Sequence, residues 1–385
     1  MLGRWGVNGT VQPCADVVVI GGGVIGLAIA WRCARAGLTV TVCDEQPGRG
    51  ASWAAAGMLA PVTEAHYGEE ALLALNLASA RRWPSFAVEL QDATGIDVGL
   101  RTDGTLAVAY DDDDLTALDE LGRFQAELGL SVERLRRREC RSLEPLLHPR
   151  IRGGLLVCGD HQVDNRRLVA ALLAAIRGHG VELVAEHVAE VEVSAGHATG
   201  VRLAGGARVT AGAVVVAAGC WSGELRLPEA ATPPVRPVKG QILRLQAGAA
   251  TPVPQHSVRG LARGRSVYVV PRAGGEVVVG ATVEELGFDT RVTAEAVHKL
   301  LSAAIDLVPG VAELEFVEAL ARLRPGTPDN APILGPTAVD GLVMATGHYR
   351  NGILLTPVTA DAITSLVADG VSDAVADPFT LARFR

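Results

Sequence analysis

No stretch of this 385-residue chain runs apolar for the roughly 18 to 20 residues that a membrane-spanning helix requires. The nearest, residues 20–30, is a glycine turn leading into a helix, so no transmembrane segment is expected. The first residues, MLGRWGVNGTVQPC, lack the apolar centre of a secretory signal and read as a disordered extension over residues 1–14. The six cysteines stand at no metal-type or redox-type spacing, which argues against a metal centre and for reduced thiols in a cytoplasmic protein. A formal net charge of -8 leaves no basic excess, which disfavours nucleic acid as the main partner. Repeats and low-complexity linkers are also absent, so two domains would have to interleave in sequence.

What the chain does have is core, with 49% hydrophobic residues, enough for one large or two ordinary domains. Its clearest pattern is DVVVIGGGVIGLAIAWRCARAGLTVTVCD at residues 16–44. The apolar run 17–20 predicts a buried parallel strand, the three glycines a sharp turn, and the sequence after them a helix. Gly21 and Gly23 would let the backbone approach a pyrophosphate, while Gly26 would let helix and strand pack closely. The helix start at Val24 and Ile25 would add N–H groups and positive dipole. A second apolar strand over 38–43 ends at Asp44, where a carboxylate can take the hydroxyls of an adenosine ribose. Together these predict a dinucleotide site.

The following segment, residues 45–61, is rich in small residues and carries no charge between Arg49 and Glu64. It reads as a loop lying along the ligand, with Ser52 a pyrophosphate contact and Met58 packed on a ring face. Residues 69–90 read as a structural helix, 99–109 as a hairpin turned at Asp103 and Gly104, and 133–141 as a charged helix. The acidic run 111–114 should cap a helix reaching residue 128 rather than bind metal. The nucleotide-type pattern then resumes, with Asp164 capping a helix over 165–179 and strands at 181–185, 188–193 and 213–219. Backbone near Val188 could take an adenine edge, although an ordinary buried valine fits as well, and the small ending Ala218-Gly219 would allow close approach to a ligand. Residues 233–317 differ, with short strands at 241–245, 266–270 and 276–279 and a helix at 294–307, which predicts an antiparallel sheet covering the cofactor.

Two late clusters, LARLRPGTPDNAPILG and ATGHYRNGILLTP, place arginine among loop-forming residues. A buried arginine there would present a planar donor fork that matches a carboxylate, whereas an exposed one would be an ordinary surface charge. The segment 347–352 leads into a helix begun by Thr356 and Pro357, whose N-terminus could face negative charge on a reduced cofactor.

With these motifs in order, together with AAAGML, VKGQ, YVVPR and VVVGAT, the chain from Ala15 to about Leu366 resembles the flavin-dependent D-amino acid oxidase and sarcosine oxidase superfamily. Within it, the glycine oxidases of thiamine-thiazole biosynthesis are most similar. The resemblance implies an α/β fold: a Rossmann-like, glutathione-reductase-type FAD-binding domain (15–92, 152–228, 321–385) interleaved with an antiparallel-sheet substrate domain (93–151, 229–320). It implies non-covalent FAD held by Gly21, Gly23, Val24, Ile25, Gly26, Asp44, Ser52, Ala56, Gly57, Met58, Val188, Ala218, Gly219, Gly347, Arg350, Asn351, Gly352 and Ile353. Arg324 matches the arginine that pairs with the substrate carboxylate, Tyr268 the tyrosine sharing it, and Arg350 a further polar group of the pocket. Arg322 has no such match, and Tyr268 could also be a plain strand aromatic.

Two departures from the family stand out. Relatives that bind flavin covalently have a cysteine near residues 320–323, and none is present here; the nearest in sequence is Cys220. Val283 replaces a methionine beside the pocket, which leaves side-chain acceptance open. The activity implied is oxidation of glycine by oxygen through an imine to glyoxylate, ammonia and hydrogen peroxide, with handover to thiazole-synthesis enzymes and assembly into a homo-oligomer as further expectations. His348 is the one histidine within these late motifs and reads as structural. Sarcosine or a small D-amino acid, used by an oxidase or a quinone-linked dehydrogenase, is the alternative of the same class. A flavin protein without amine chemistry and an NAD-dependent dehydrogenase are the alternatives of other classes.

Overall fold

The computed structural model of the protein describes residues 14–385. The expected extension over 1–14 therefore lies outside the described residues, except that the backbone of Cys14 already pairs with Thr210.

Two eight-stranded sheets organise the chain. In the first, Leu342–Thr346, Arg208–Val216, Cys14–Ile20, Val40–Cys43 and Glu182–Val184 lie side by side and parallel. Ile333–Pro336 pairs antiparallel with Leu342–Thr346 at one edge, and the hairpin of Val188–Ser194 and His197–Leu203 adds to Arg208–Val216. The central strand is apolar from Val17 to Ile20 because both faces are covered there: Val17 and Val19 enter one core, Val18 and Ile20 the other.

The helices Val24–Arg35, Glu70–Thr94, Asn165–Gly178 and Thr356–Asp369 share the first of these cores. Its aromatic centre is Phe86, edge-on to Trp31 at 5.5 Å and to Trp83 at 5.4 Å. The long helix also positions the late loop, since the Ser79 hydroxyl donates to the Leu354 carbonyl at 2.6 Å and Trp83 Nε1 does so at 2.8 Å. The backbone at the start of the helix Thr356–Asp369 is thereby fixed from the protein interior.

The second sheet runs in the order Glu315–Gly326, Arg236–Gln246, Glu276–Gly280, Arg265–Pro271, Ser257–Ala262, Thr105–Ala109, Gly153–Val157 and Glu133–Arg136. Its pairings are antiparallel except that between Ser257–Ala262 and Thr105–Ala109. The helix Ala294–Leu307 buries Leu300, Ala303, Ala304 and Leu307 in the core beneath it.

The structure departs from sequence expectation in three respects. Residues 99–109 form no hairpin; Thr105–Ala109 pairs instead with two distant strands and is buried at every position. Residues 133–141 divide into an edge strand, Glu133–Arg136, and a short helix, Arg137–Leu143, because the sheet edge is available to bury Leu135. Gly153–Val157 and residues 321–326, expected in the nucleotide domain, belong to the second sheet. The acidic run behaves as expected: Asp111 and Asp114 form a capping box on Asp112–Glu127, and Asp114 also accepts from the backbone of Arg263 and Gly264.

Candidate active site

A cavity of about 1070 Å³ opens between the two sheets, just above the usual ~300–1,000 Å³ of ligand pockets. Its first end is the glycine turn. Gly21 has φ +106°, and a Cβ there would lie 2.4 Å from the Ala217 carbonyl oxygen, so only glycine fits. The helix Val24–Arg35 has Gly23 as N-cap and no capping side chain of its own; Ser52 Oγ accepts from the Val24 N–H at 3.0 Å. Asp44 Oδ2 accepts from Gly22 N and Oδ1 from Gln46 N, each at 2.7 Å, which fixes the carboxylate at the end of the second strand.

Most of the residues expected to hold the cofactor lie on the cavity wall: Gly21, Gly23, Val24, Ile25, Asp44 and Ser52 at the turn, and Ala56, Gly57 and Met58 along the loop. The small loop is partly regular, with a short helix Ala51–Ala54 and a strand Met58–Leu59. Val188, Ala218, Gly219, Arg350, Gly352 and Ile353 complete the wall. Three expected contacts stand behind it. A Cβ on Gly26 would lie 1.9 Å from the Gly21 carbonyl oxygen, so this glycine serves helix-strand packing. Gly347 turns the chain at φ +76° against Thr327, and Asn351 is buried with its carbonyl accepting from Leu355 N at 2.8 Å. These two shape the loop from behind.

At the other end, Arg324 and Tyr268 approach from the strands Glu315–Gly326 and Arg265–Pro271, which are separated by two more strands. Each of those intervening strands contributes a glycine floor. A Cβ on Gly240 would lie 2.4 Å from Arg324 Nη1, and one on Gly280 would lie 2.3 Å from the Tyr268 hydroxyl. Arg324 Nη1 reaches across the strand Arg236–Gln246 to donate to the Thr282 carbonyl at 3.1 Å, and it makes no ion pair among the described residues. Burial pushes the Tyr268 hydroxyl above its ordinary pKa, opposed by the Arg324 charge, so it stays protonated and can donate.

Sequence reasoning missed Glu64, His66 and Arg259 on this wall. Arg259 Nη1 donates to Glu64 Oε1 at 2.6 Å, Arg350 Nη2 to Glu69 Oε2 at 2.9 Å, and Arg350 Nε stands 3.4 Å from Glu64 Oε2. Burial alone would raise the Glu64 pKa, but Arg259 and Arg350 outweigh it and hold the carboxyl below its usual range. The signal for Glu64 was its place as the first charge after a long neutral stretch, whereas the sequence around Arg259 carried none. His348 also lines the cavity, but its Nε2 is engaged with Thr359 Oγ1 at 3.0 Å, and burial lowers its pKa to about 3. Cys220 is buried beside the cavity with its thiol pushed up to about 12, far from a reactive thiolate.

The profile of the FAD dependent oxidoreductase family matches residues 16–366. The chain belongs to the FAD-dependent oxidoreductase family. Its cofactor is FAD, and the glycine cradle, the helix start at Val24 and the fixed Asp44 fit that group. Among members of the family, the chain is 37% identical over 373 residues to the bifunctional protein ThiO/ThiG of Trichormus variabilis, covering 96% of the chain and 55% of that protein. The chain thus spans about half the length of the first curated relatives it matches. It is 35% identical to the glycine oxidase of Geobacillus kaustophilus, over 96% of the chain and 97% of the relative. The crystal structure of glycine oxidase from Geobacillus kaustophilus superposes with a TM-score of 0.87, at 34% identity, covering 97% of this chain and 99% of that one. Glycine oxidase from Bacillus cereus superposes with a TM-score of 0.85 at 29% identity, over 94% and 99% of the two chains.

Proposed function

We propose that this member of the FAD-dependent oxidoreductase family oxidises glycine to its imine, which hydrolyses to glyoxylate and ammonia. The observation that carries the reading is Arg324: on the cavity wall Arg259 and Arg350 are paired with carboxylates, Arg322 donates to two backbone carbonyls and Arg49 lies over the Trp53 ring, whereas Arg324 is bonded to one carbonyl and leaves the rest of its fork, beside Tyr268, for an incoming carboxylate. Tyr268, held protonated beside it, supplies a second donor to the same group. The likeness to glycine oxidases over nearly their whole length supports this substrate.

When bound, FAD supplies the hydride acceptor and, by its reaction with oxygen, the route to hydrogen peroxide. The chain's part is to bind and orient. Arg324 and Tyr268 fix the carboxylate end, and the walls from both sheets exclude water around the Cα and amine. Neither His348 nor Glu64 stands ready as a base for the amine. His348 is neutral but engaged by Thr359, and Glu64 is held ionised between two arginines, so glycine reacts as its neutral amine.

We assign the first sheet and its helices to FAD binding and the second sheet to the substrate, with the cavity between them as support. The five described cysteines are unpaired, which supports a reducing compartment such as the cytoplasm. The bifunctional ThiO/ThiG relatives join a segment like this chain to a second unit, which supports handover of the imine to a thiazole-synthesis partner. The test is anaerobic: glycine, sarcosine and D-alanine are added separately to the yellow protein. Bleaching by glycine that is lost in Arg324→Ala supports the reading, and a flavin bleached by none of the three sinks it.

A further inference from the structure

A polar cluster on the far side of the strand Arg236–Gln246 surrounds Lys239, a fully buried lysine. Lys239 and Gln241 alternate with Gly240 and Ile242, which line the cavity, so this pair points away from it. The pair holds a strap, residues 281–293, which connects the strand Glu276–Gly280 to the helix Ala294–Leu307 without helix or strand of its own. The strap matters to the cavity because Ala281, Val283 and Thr290 form part of its wall, while Val283 is still 64% exposed.

The attachment is made by backbone and side chains together: Lys239 and Glu284 exchange backbone N–H···O bonds at 2.9 and 3.0 Å, Thr282 N donates to the Gln241 carbonyl at 3.2 Å, and side chains close the rest. Gln241 Nε2 donates to Glu284 Oε1 at 2.8 Å, Gln241 Oε1 accepts from Thr293 N at 2.9 Å, and Gln241 N donates to Thr282 Oγ1 at 2.9 Å. Lys239 Nζ lies 3.4 Å from Asp289 Oδ2 and 3.7 Å from Glu284 Oε2. Among the described residues both of its ion-pair partners belong to the strap. A buried ammonium is costly unless paired, so departure of the strap would strand the charge of Lys239. The same strap presents the Thr282 carbonyl to Arg324 Nη1.

We propose that Lys239 and Gln241 are positioning residues: they latch the strap, and the strap, through the Thr282 carbonyl, aims Arg324 at the substrate carboxylate. This rests on the reading of Arg324 as the carboxylate-binding residue. A near-isosteric change, Gln241→Glu, tests it in the FAD-loaded protein: the acceptor for Thr293 N is kept, but a carboxylate now faces Glu284. The latch predicts that KM for glycine rises about tenfold while kcat stays within about threefold and flavin content is unchanged. It also predicts faster trypsin cleavage after Arg291, whose side chain is 87% exposed on the strap. Lys239→Met should act more strongly; if it does not fold, Asp289→Asn tests the same contact from the strap side. Faster cleavage at Arg291 with an unchanged KM would overturn the proposal, as would unchanged cleavage and KM together. Acetate, followed by its perturbation of the flavin spectrum, gives a separate arm: Gln241→Glu should weaken its binding about tenfold even if glycine proves not to be the substrate. Failure of the wild type to oxidise glycine would strike the activity alone, and undiminished acetate binding in the variant would strike the latch alone.

Discussion

The guanidinium of Arg324 occupies the space that a side chain on Gly240 would fill, with a Cβ there only 2.4 Å from Nη1. Gly240→Ala should therefore displace Arg324 without touching the nucleotide end. The expected outcome is a fall in kcat/KM for glycine of about 10- to 100-fold with flavin content retained, measured by steady-state kinetics and the visible spectrum.

Tyr268 and Arg324 should separate in their effects. Tyr268→Phe removes one neutral donor and leaves the charge, so KM should rise by roughly fivefold, as befits about 1 kcal/mol of hydrogen bonding. Arg324→Ala removes the guanidinium that stands without an ion pair over the glycine floor and should abolish anaerobic bleaching by glycine at ordinary concentrations. Equal losses in the two variants would argue against a carboxylate docked mainly on Arg324.

The glycine turn gives a prediction about the cofactor alone. Gly21→Ala places a Cβ 2.4 Å from the Ala217 carbonyl oxygen in a left-handed conformation, which forces the strand-helix junction apart. The variant should purify colourless or nearly so, and titration with FAD should show binding weakened by about 100-fold or more. With Cys220 buried and its thiol pushed up to about 12, acid precipitation of the wild type should leave all flavin in the supernatant.

His348 sets an acid-side slope on stability. Burial lowers its pKa from 6.5 to about 3 in the folded chain. As pH falls below 6.5 the unfolded chain takes up this proton and the folded chain does not, so stability is whole above 6.5 and is lost on acidification. At about pH 5 the loss is about 2 kcal/mol. Urea unfolding at about pH 7.5 and pH 5 should show the advantage of the wild type over His348→Gln shrinking by about that amount at the lower pH.

The nucleotide half was legible because its signals are local. The run from Asp16 to Asp44 carries strand, turn, helix and terminal acid within one continuous stretch, and each follows from apolar periodicity or from glycine's freedom at φ > 0. The cap at Asp164, whose side chain accepts from Arg166 N and Arg167 N, was equally local. Arg324 and Tyr268 came from motif resemblance rather than from such patterns, since neither residue type nor spacing distinguishes them from a surface charge or a strand aromatic.

What the sequence could not decide was pairing over distance. Thr105–Ala109 looked like half of a hairpin because its neighbours carry turn residues, yet its partners are Ser257–Ala262 and Gly153–Val157. Glu64 and Arg259 meet from positions 195 residues apart, and the glycines under Arg324 and Tyr268 matter only because two other strands bring those side chains above them. By itself the sequence determined the FAD cradle, the helices with their caps and the apolar strands, all set by interactions within a few residues. The tertiary structure alone decided that Arg259 and Arg350 are paired with carboxylates while Arg324 stands without one beside Tyr268, because ion pairing in a cavity depends on every side chain the two sheets bring to its wall.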